Sequence, residues 1–168
     1  YLNGNRDGTW TEFYKDGKRK TELNYSNGKF SGLQSYWNSN GNKAEEKNYI
    51  NGKQQGLSTI YYEETGIKKE ETNYVDGVQE GLWTEWFEDG QKRRERNFKN
   101  GERDSTWTTW YTNGNKKFLA TYINGKLNGK YIRWYEGGII KELDGDYLNN
   151  KKHNKWVYWG KNGQKTEE

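Results

Sequence analysis

Polar and apolar positions alternate along this chain in short segments that are separated by Asn-Gly and Asp-Gly dipeptides. Segments of this kind, rich in aromatic and β-branched residues, predict antiparallel strands joined by hairpin turns. Residues 81–104 show the order of features most clearly. An early aromatic (Trp83) is followed by an aromatic pair (Trp86-Phe87) and a turn (Asp89-Gly90). A charged run (92–96), one aromatic (Phe98) and a second turn (Asn100-Gly101) complete it.

The same order recurs with a period near 24 residues, and such a period indicates a repeat architecture. Asn-Gly and Asp-Gly accept positive φ at both central positions, so we expect type I′ turns at both turns of a repeat. One repeat (56–80) has an extra residue in its first turn, and we place the extra residue of repeat 129–153 near Asp144-Gly145. The expected organisation is a single repeat domain, residues 1–168, divided into 1–7 (partial), 8–31, 32–55, 56–80, 81–104, 105–128, 129–153 and 154–168 (partial).

The predicted fold is all-β: an elongated, single-layer, twisted antiparallel meander of about 14 strands, built from stacked ~24-residue β-hairpin repeats. Side chains alternate between the two faces of a strand, so Trp86 should lie on the opposite face from Trp83. In repeat 32–55, Gln34 replaces the early aromatic and leaves the register open by one residue. The first residue of the aromatic pair forms a column that we name the Trp column: Phe13, Trp37, Tyr61, Trp86, Trp110, Trp134 and Trp159. We expect the second-strand aromatics to fill the gaps in it: Tyr25, Tyr49, Tyr74, Phe98, Tyr122 and Tyr147.

The composition is 29% hydrophobic and 31% charged, which alone would favour disorder, but nine Trp and 14 Tyr argue for a folded chain. The net charge of +4 arises from interleaved cations and anions, a weak indication of anionic partners. There is no cysteine, hence no disulfide, and no apolar run long enough to span a membrane. The chain starts at Tyr1 rather than Met, so we expect that its natural N-terminus has been removed.

Two pairs of segments carry a recognisable motif, GTWTEFYKDGK with NYSNGK and STWTTWYTNGNK with TYINGK. This motif resembles the bacterial variant of MORN repeats, the MORN-2 repeat, which also occurs in YwqK-family antitoxin-like proteins. The resemblance covers essentially the whole chain. It implies a single elongated sheet of stacked hairpins used for scaffolding and protein binding, with lipid contact proposed for some members, and it offers no catalytic residue. Together with the missing N-terminus, it favours a secreted or cell-envelope location over the cytoplasm.

Residues suited to catalysis are few. His153 is the only histidine and lies in a polar turn, so no Ser/His/Asp or Cys/His arrangement can be assembled. We interpret the carboxylate pairs Glu45-Glu46 and Glu70-Glu71 as solvated residues that face Lys or Arg of adjacent strands. Residues 144–146 are too short for a calcium loop. We therefore predict no enzyme activity, no cofactor and no metal site.

Two sets of residues are candidates for binding. Trp86, Trp110, Trp134 and Trp159 of the Trp column could stack on sugars or nucleobases, although we favour the interpretation that these rings hold the sheet together. A basic patch, continued by Lys99 and Arg103, could contact an anionic partner or lipid headgroups in a salt-sensitive way. Its members are Lys92, Arg93, Arg94 and Arg96.

The favoured hypothesis is a non-enzymatic repeat module that recognises a macromolecule, with a protein as the favoured partner, over a broad face of the sheet. The alternatives are a carbohydrate or cell-wall-binding aromatic module and an antitoxin or immunity-type inhibitor of a toxin. Glycans and anionic lipid surfaces remain open as partners. Nucleic acid is disfavoured by the 24 acidic residues.

Overall fold

The computed structural model describes residues 1–167, and every regular element in this range is a β-strand. All strand pairings are antiparallel, which confirms the predicted all-β meander. The structure has sixteen strands where about 14 were predicted. The two additional ones arise because two of the predicted strands are each divided, and their first parts form the two-residue strands β3 and β8. The chain divides into two compact units, Tyr1–Glu80 and Gly81–Glu168.

In the first unit the hydrogen-bonded order is β1-β2-β4-β5-β6-β7, and β3 and β8 pair with β2 and β7. Its strands are β1 (Gly8–Phe13), β2 (Arg19–Ser26), β3 (Lys29–Phe30), β4 (Gly32–Trp37), β5 (Lys43–Ile50), β6 (Lys53–Tyr61), β7 (Lys68–Val75) and β8 (Val78–Gln79).

In the second unit each strand pairs with the next along the chain, so the spatial order equals the sequence order. Its strands are β9 (Gly81–Trp86), β10 (Lys92–Lys99), β11 (Glu102–Trp110), β12 (Lys116–Ile123), β13 (Lys126–Trp134), β14 (Lys141–Leu148), β15 (Lys151–Trp159) and β16 (Lys165–Glu167).

The second turn of the repeats is the predicted type I′ turn. Both central residues have positive φ, for example Asn27 (48°) and Gly28 (79°), and Asn124 (47°) and Gly125 (75°). The backbone N–H of the second turn residue also donates to a carbonyl of the preceding repeat, as from Gly125 to Arg103 at 2.8 Å. These bonds join successive repeats along one edge within each unit.

The first turns differ from the predicted type I′. In residues 87–91 only Gly90 has positive φ, its N–H donates to the carbonyl of Phe87 at 2.9 Å, and the N–H of Phe87 donates to the carbonyl of Gln91 at 2.8 Å. This is a type I turn followed by a glycine bulge, a three-residue hairpin loop. Asp89 Oδ1 accepts the backbone N–H of Gln91 at 2.9 Å and favours this turn.

The extra residue of repeat 129–153 lies in its first turn, so the predicted position near Asp144-Gly145 is wrong. The N–H of Tyr135 closes the loop on the carbonyl of Ile140, and Trp134 pairs with Lys141 immediately after it. Ile139, within this loop, is 91% exposed. The insertion sits in the turn because a longer loop leaves the strand register unchanged.

A bulge interrupts the strand that follows several type I′ turns. In β11 the bulge residue is Ser105 (φ 54°), and the pairing with β10 shifts register between Glu95 and Asn97. The carbonyl of Asn97 then accepts a hydrogen bond from Nε1 of Trp107 at 3.0 Å. The early aromatic therefore provides a hydrogen bond to a backbone carbonyl beside the bulge, where the pairing between the two strands is interrupted.

Gln34 takes over this role in repeat 32–55. It is fully buried, at 0% exposure, and its Nε2 donates to the carbonyls of Asn24 and Gly32 at 3.0 Å each. Its Oε1 accepts the N–H of Asn24 at 2.9 Å. Trp37 pairs with Lys43 as the equivalent residues do in the other repeats, which settles the register that the sequence left open.

The buried hydrophobic side chains of residues 1–167 all belong to the second unit. Trp107, Ala120 and Tyr122 form a core cluster with 8%, 0% and 7% exposure. The partly buried residues packed against this cluster are Phe98, Phe118, Leu127 and Tyr131. We had expected the second-strand aromatics to fill gaps in the Trp column. Phe98 and Tyr122 instead pack around the early aromatic Trp107.

Candidate functional site

Rings and guanidinium groups alternate in one row across the second unit, which we name the arginine–aromatic ladder: Trp83, Arg96, Trp107, Arg103 and Tyr122. Arg96 Cζ lies 4.7 Å from the ring centroid of Trp83 and 4.8 Å from that of Trp107. Arg103 Cζ lies 4.8 Å from the Trp107 centroid and 5.5 Å from that of Tyr122. All four contacts are within the range of cation–π attraction.

Strand register places these side chains in one row. Arg96 in β10 is directly opposite Trp83 in β9. Asp104 and Thr108 are opposite Asn97 and Glu95, which share a face of β10. Their neighbours Arg103 and Trp107 therefore share the other face across the bulge at Ser105. The Trp107 and Tyr122 rings, from β11 and β12, have centroids 4.8 Å apart. We call this side of the second unit the ladder face.

Two of the three rings of the ladder are more deeply buried than its cations, and the third, Trp83, is partly buried. Trp107 and Tyr122 belong to the core cluster, whereas Arg96 is partly buried and Arg103 is exposed. Burial, reinforced by the positive charge of neighbouring Arg94, lowers the pKa of Arg96 from its usual value. The ladder therefore presents a local concentration of positive charge on a rigid aromatic support.

Beside the ladder, Arg93 and Arg94 hold a buried carboxylate. Arg93 Nη1 donates to Oε1 of Glu85 at 3.0 Å, and Arg94 Nη1 lies 3.1 Å from Oε2. The second contact is an ion pair without hydrogen-bond alignment, because Oε2 accepts no hydrogen bond from residues 1–167. The Glu85 side chain is 6% exposed, and its single negative charge offsets one of the two positive charges of these arginines within the sheet.

An open cleft of about 560 Å³ adjoins this ion pair. Arg93, Arg94 and Trp110 line it, so the structure brings part of the predicted basic patch together with one predicted tryptophan. Further lining residues include Tyr111, Phe118 and Arg133. The cleft walls are therefore aromatic and cationic.

The predicted basic patch is split between the two faces. Arg94 and Arg96 lie on the ladder face, and Arg93 reaches Glu85 from the irregular start of β10. Lys92 pairs instead with Glu95, which is opposite Thr84 and so on the other face. The patch is thus not one continuous surface of four cations.

The Trp column lies at strand ends on the face opposite the ladder. Its four candidate residues are partly buried and are the last residues of their strands: Trp86, Trp110, Trp134 and Trp159 in β9, β11, β13 and β15. Neighbouring tyrosines fix the backbone there, since the hydroxyls of Tyr111 and Tyr135 donate to the carbonyls of Trp134 and Trp159 at 2.8 Å.

Several of the paired glutamates bind lysines of their own strand rather than of adjacent strands, which corrects the sequence-based interpretation. Lys43 pairs with Glu46, and Lys47 Nζ lies 2.8 Å from Glu45 Oε1, all within β5. The register shift at the start of β5 brings residues three apart to the same face, which allows the first of these pairs. Lys68 and Glu71 repeat it in β7.

The polar residues considered for chemistry remain scattered. His153 is exposed, and Asp144 and Asp146 form ion pairs with lysines. Residues 1–167 contain no group of three or more His, Cys, Asp or Glu side chains arranged to hold a metal ion. They also contain no helix with the length and hydropathy needed to cross a membrane.

The sequence interpretation missed Trp83, Trp107 and Tyr122 as parts of a binding surface. A signal was present: a basic residue four positions before the early tryptophan. It recurs as Arg6 before Trp10, Arg103 before Trp107 and Lys152 before Trp156, and each cation lies over the ring of its tryptophan.

The fold and these surfaces define a repeat protein of antiparallel hairpins. The family model described as MORN repeat variant matches residues 6–27, 79–100 and 103–124. Two of these segments begin at a cation that stacks on an early tryptophan, Arg6 and Arg103, and all three end at or within a type I′ turn. A search of curated proteins found no match.

Proposed function

We propose that this chain is a non-catalytic, MORN-like repeat module that binds a protein partner over the ladder face of residues 81–168. The observation that carries the proposal is the row of rings and guanidinium groups on that face. Tryptophan, tyrosine and arginine are the residues that most often dominate binding energy at protein interfaces. Here they are fixed by sheet register, so little side-chain freedom is lost on binding.

The matched repeats support a binding role, because repeats of this kind generally form non-catalytic binding modules. The part of the cleft lined by Arg94, Phe118 and Arg133 adjoins the ladder face and offers concave surface beside it. The partial burial of the four candidate tryptophans in the Trp column gives no support to carbohydrate stacking on that column.

The test is capture of partners from cell-envelope extract with wild-type protein and matched variants. Arg96→Glu changes the ladder face, and Lys116→Glu makes the same charge change at an exposed site paired with Trp110 on the opposite face. We expect a captured protein to be lost with Arg96→Glu and retained with Lys116→Glu. Retention by both variants, or loss from both, contradicts binding through the ladder face.

A third variant, Trp110→Ala, examines the Trp column. We expect it to lower the free energy of unfolding by about 3 kcal/mol, as for other large core truncations. A loss below about 0.5 kcal/mol, measured by denaturant unfolding, would show that this ring is free for ligands and would favour the column over the ladder as the binding surface.

A further inference from the structure

We propose that Arg96 and Arg103 bind carboxylate side chains of an acidic segment in a protein partner. This inference rests on the proposed function and adds the chemistry of the partner. It concerns the N–H groups of the two guanidinium groups in the arginine–aromatic ladder, each of which lies within 5.5 Å of two ring centroids.

The chain has seven arginines, and five of them have a hydrogen-bond or ion-pair partner within the chain. The other two, Arg96 and Arg103, have rings as neighbours but no hydrogen-bond or ion-pair partner among residues 1–167. The five partnered contacts are Arg6 with the Tyr25 hydroxyl, Arg19 with Glu22, Arg93 and Arg94 with Glu85, and Arg133 with Glu142.

The stacking determines what these two side chains can bind. A guanidinium group donates its hydrogen bonds in its own plane, while its faces stack on aromatic rings. Arg96 has two rings nearby, because its Cζ lies 4.7 Å from the Trp83 centroid and 4.8 Å from the Trp107 centroid. The in-plane donors are then left for an external acceptor, and a carboxylate matches their paired geometry with two parallel hydrogen bonds.

The number of cations favours an acidic protein segment over a membrane or a nucleic acid. Surfaces that bind anionic lipid use clusters of about four to eight Lys or Arg. Nucleic acids likewise require many phosphate contacts for affinity. The ladder itself supplies only two cations, Arg96 and Arg103, and the nearby Arg93 and Arg94 form ion pairs with Glu85. Arg96 and Arg103 lie at the same Trp107 ring, so a peptide could place one carboxylate on each guanidinium group and pack the apolar part of its side chains on the ring.

The experiment is a titration of the whole chain with an acetylated glutamate-rich peptide, observed through the arginine Nε–Hε signals by NMR at low ionic strength. We expect the Arg96 and Arg103 signals to shift together with the Trp107 indole signal. We also expect Arg96→Gln and Arg103→Gln each to weaken peptide binding at least fivefold. Arg103→Lys, which keeps the charge and loses the paired donors, should weaken it as well.

Arg19→Gln is the matched control, because Arg19 already pairs with Glu22 and also lies 5.9 Å from the Trp37 ring. It should leave peptide affinity unchanged. Thermal unfolding of each variant separates lost binding from lost folding, and Arg103 provides a substitution at an exposed residue.

The inference is overturned if the glutamate-rich peptide shifts neither arginine signal, or if both Gln variants bind it within twofold of wild type. It is also overturned if phosphatidylserine vesicles or an oligothymidine shift these signals while the peptide does not. If a partner captured from extract is lost with Arg96→Glu but retained with Arg96→Gln and Arg103→Gln, the proposed function stands and the carboxylate inference fails. If nothing is captured at all, the proposed function fails independently of the peptide result.

Discussion

In three repeats of this protein, the side chain at the early position donates an N–H to the backbone carbonyl ten residues before it. Trp107 and Trp156 use the indole Nε1, and Gln34 uses its amide. A buried carbonyl without a partner is costly, so hydrogen-bonding capacity matters at this position besides ring size. This explains how a fully buried glutamine can replace tryptophan in the middle of a sheet.

Two glutamines of the first unit allow this idea to be tested. Gln34→Leu leaves both backbone groups of Asn24 without their side-chain partner, and each such group costs about 1–3 kcal/mol. We therefore expect the free energy of unfolding to fall by about 2 kcal/mol or more, measured by urea denaturation.

Gln54→Leu is the matched control. Gln54 Nε2 is buried without a hydrogen-bond partner among residues 1–167, so its removal should leave stability unchanged or raise it. Equal losses from the two substitutions would show that side-chain volume, rather than hydrogen bonding, explains the burial of Gln34.

Tyr61 provides a second prediction for a single residue. Burial, together with its hydrogen bond to Oε2 of Glu46 at 2.6 Å, raises the pKa of Tyr61 to about 12. The unfolded chain releases this proton near pH 10, so the contribution of Tyr61 to stability is complete below pH 10 and is lost as the pH rises toward 12.

The measurement is an NMR titration of ¹³Cζ-labelled tyrosine. We expect the Tyr61 signal to titrate near pH 12 in the wild type and at lower pH in Glu46→Gln, which removes the charged acceptor. An unchanged titration in Glu46→Gln would show that burial alone sets the pKa of Tyr61.

At the scale of the strand, the bulge after the type I′ turn has a marked backbone requirement. Gly8, Gly32, Gly56, Gly81 and Gly129 all have positive φ at this position, whereas Ser105 and Asn154 adopt it without being glycine. Non-glycine residues are disfavoured in this region of φ. Two repeats therefore carry local strain that the other repeats avoid.

Ser105→Gly should relieve that strain and raise the free energy of unfolding by about 0.5 kcal/mol. The hydrogen bond from Ser105 Oγ to Asp104 that is lost is exposed, so its contribution is small. Thr106→Gly, one residue further along β11 where φ is not positive, should be destabilising. Denaturant unfolding of both variants measures the difference, and destabilisation by Ser105→Gly would contradict the strain.

Turn chemistry was only half predictable from the sequence. Asn124-Gly125 forms a type I′ turn, as its dipeptide indicates, but the similar Asp89-Gly90 does not. The difference arises from loop length and from the Asp89 carboxylate, which accepts the N–H of Gln91. A dipeptide carries neither piece of information, because the loop length depends on where the flanking strands begin to pair.

At the scale of the molecule, the period of aromatic residues and turns was sufficient to predict the all-β meander. It also placed Arg93, Arg94 and Arg96 in a candidate site, of which Arg94 and Arg96 share the ladder face. The ladder itself was not predictable. Its membership depends on the register across a bulge at Ser105 and on which residues share a face, and residue types alone do not define either.

Loops of two lengths are accommodated at the first turns without altering the strands that flank them. Phe87 and Gln91 close one loop by a backbone hydrogen bond, and Tyr62 and Ile67 close a longer one in the same way. The strand ends then pair equivalently, since Trp86 meets Lys92 and Tyr61 meets Lys68. Foreign peptides grafted into these loops would consequently be displayed from a fixed support, and the protein could serve as a scaffold for engineered recognition.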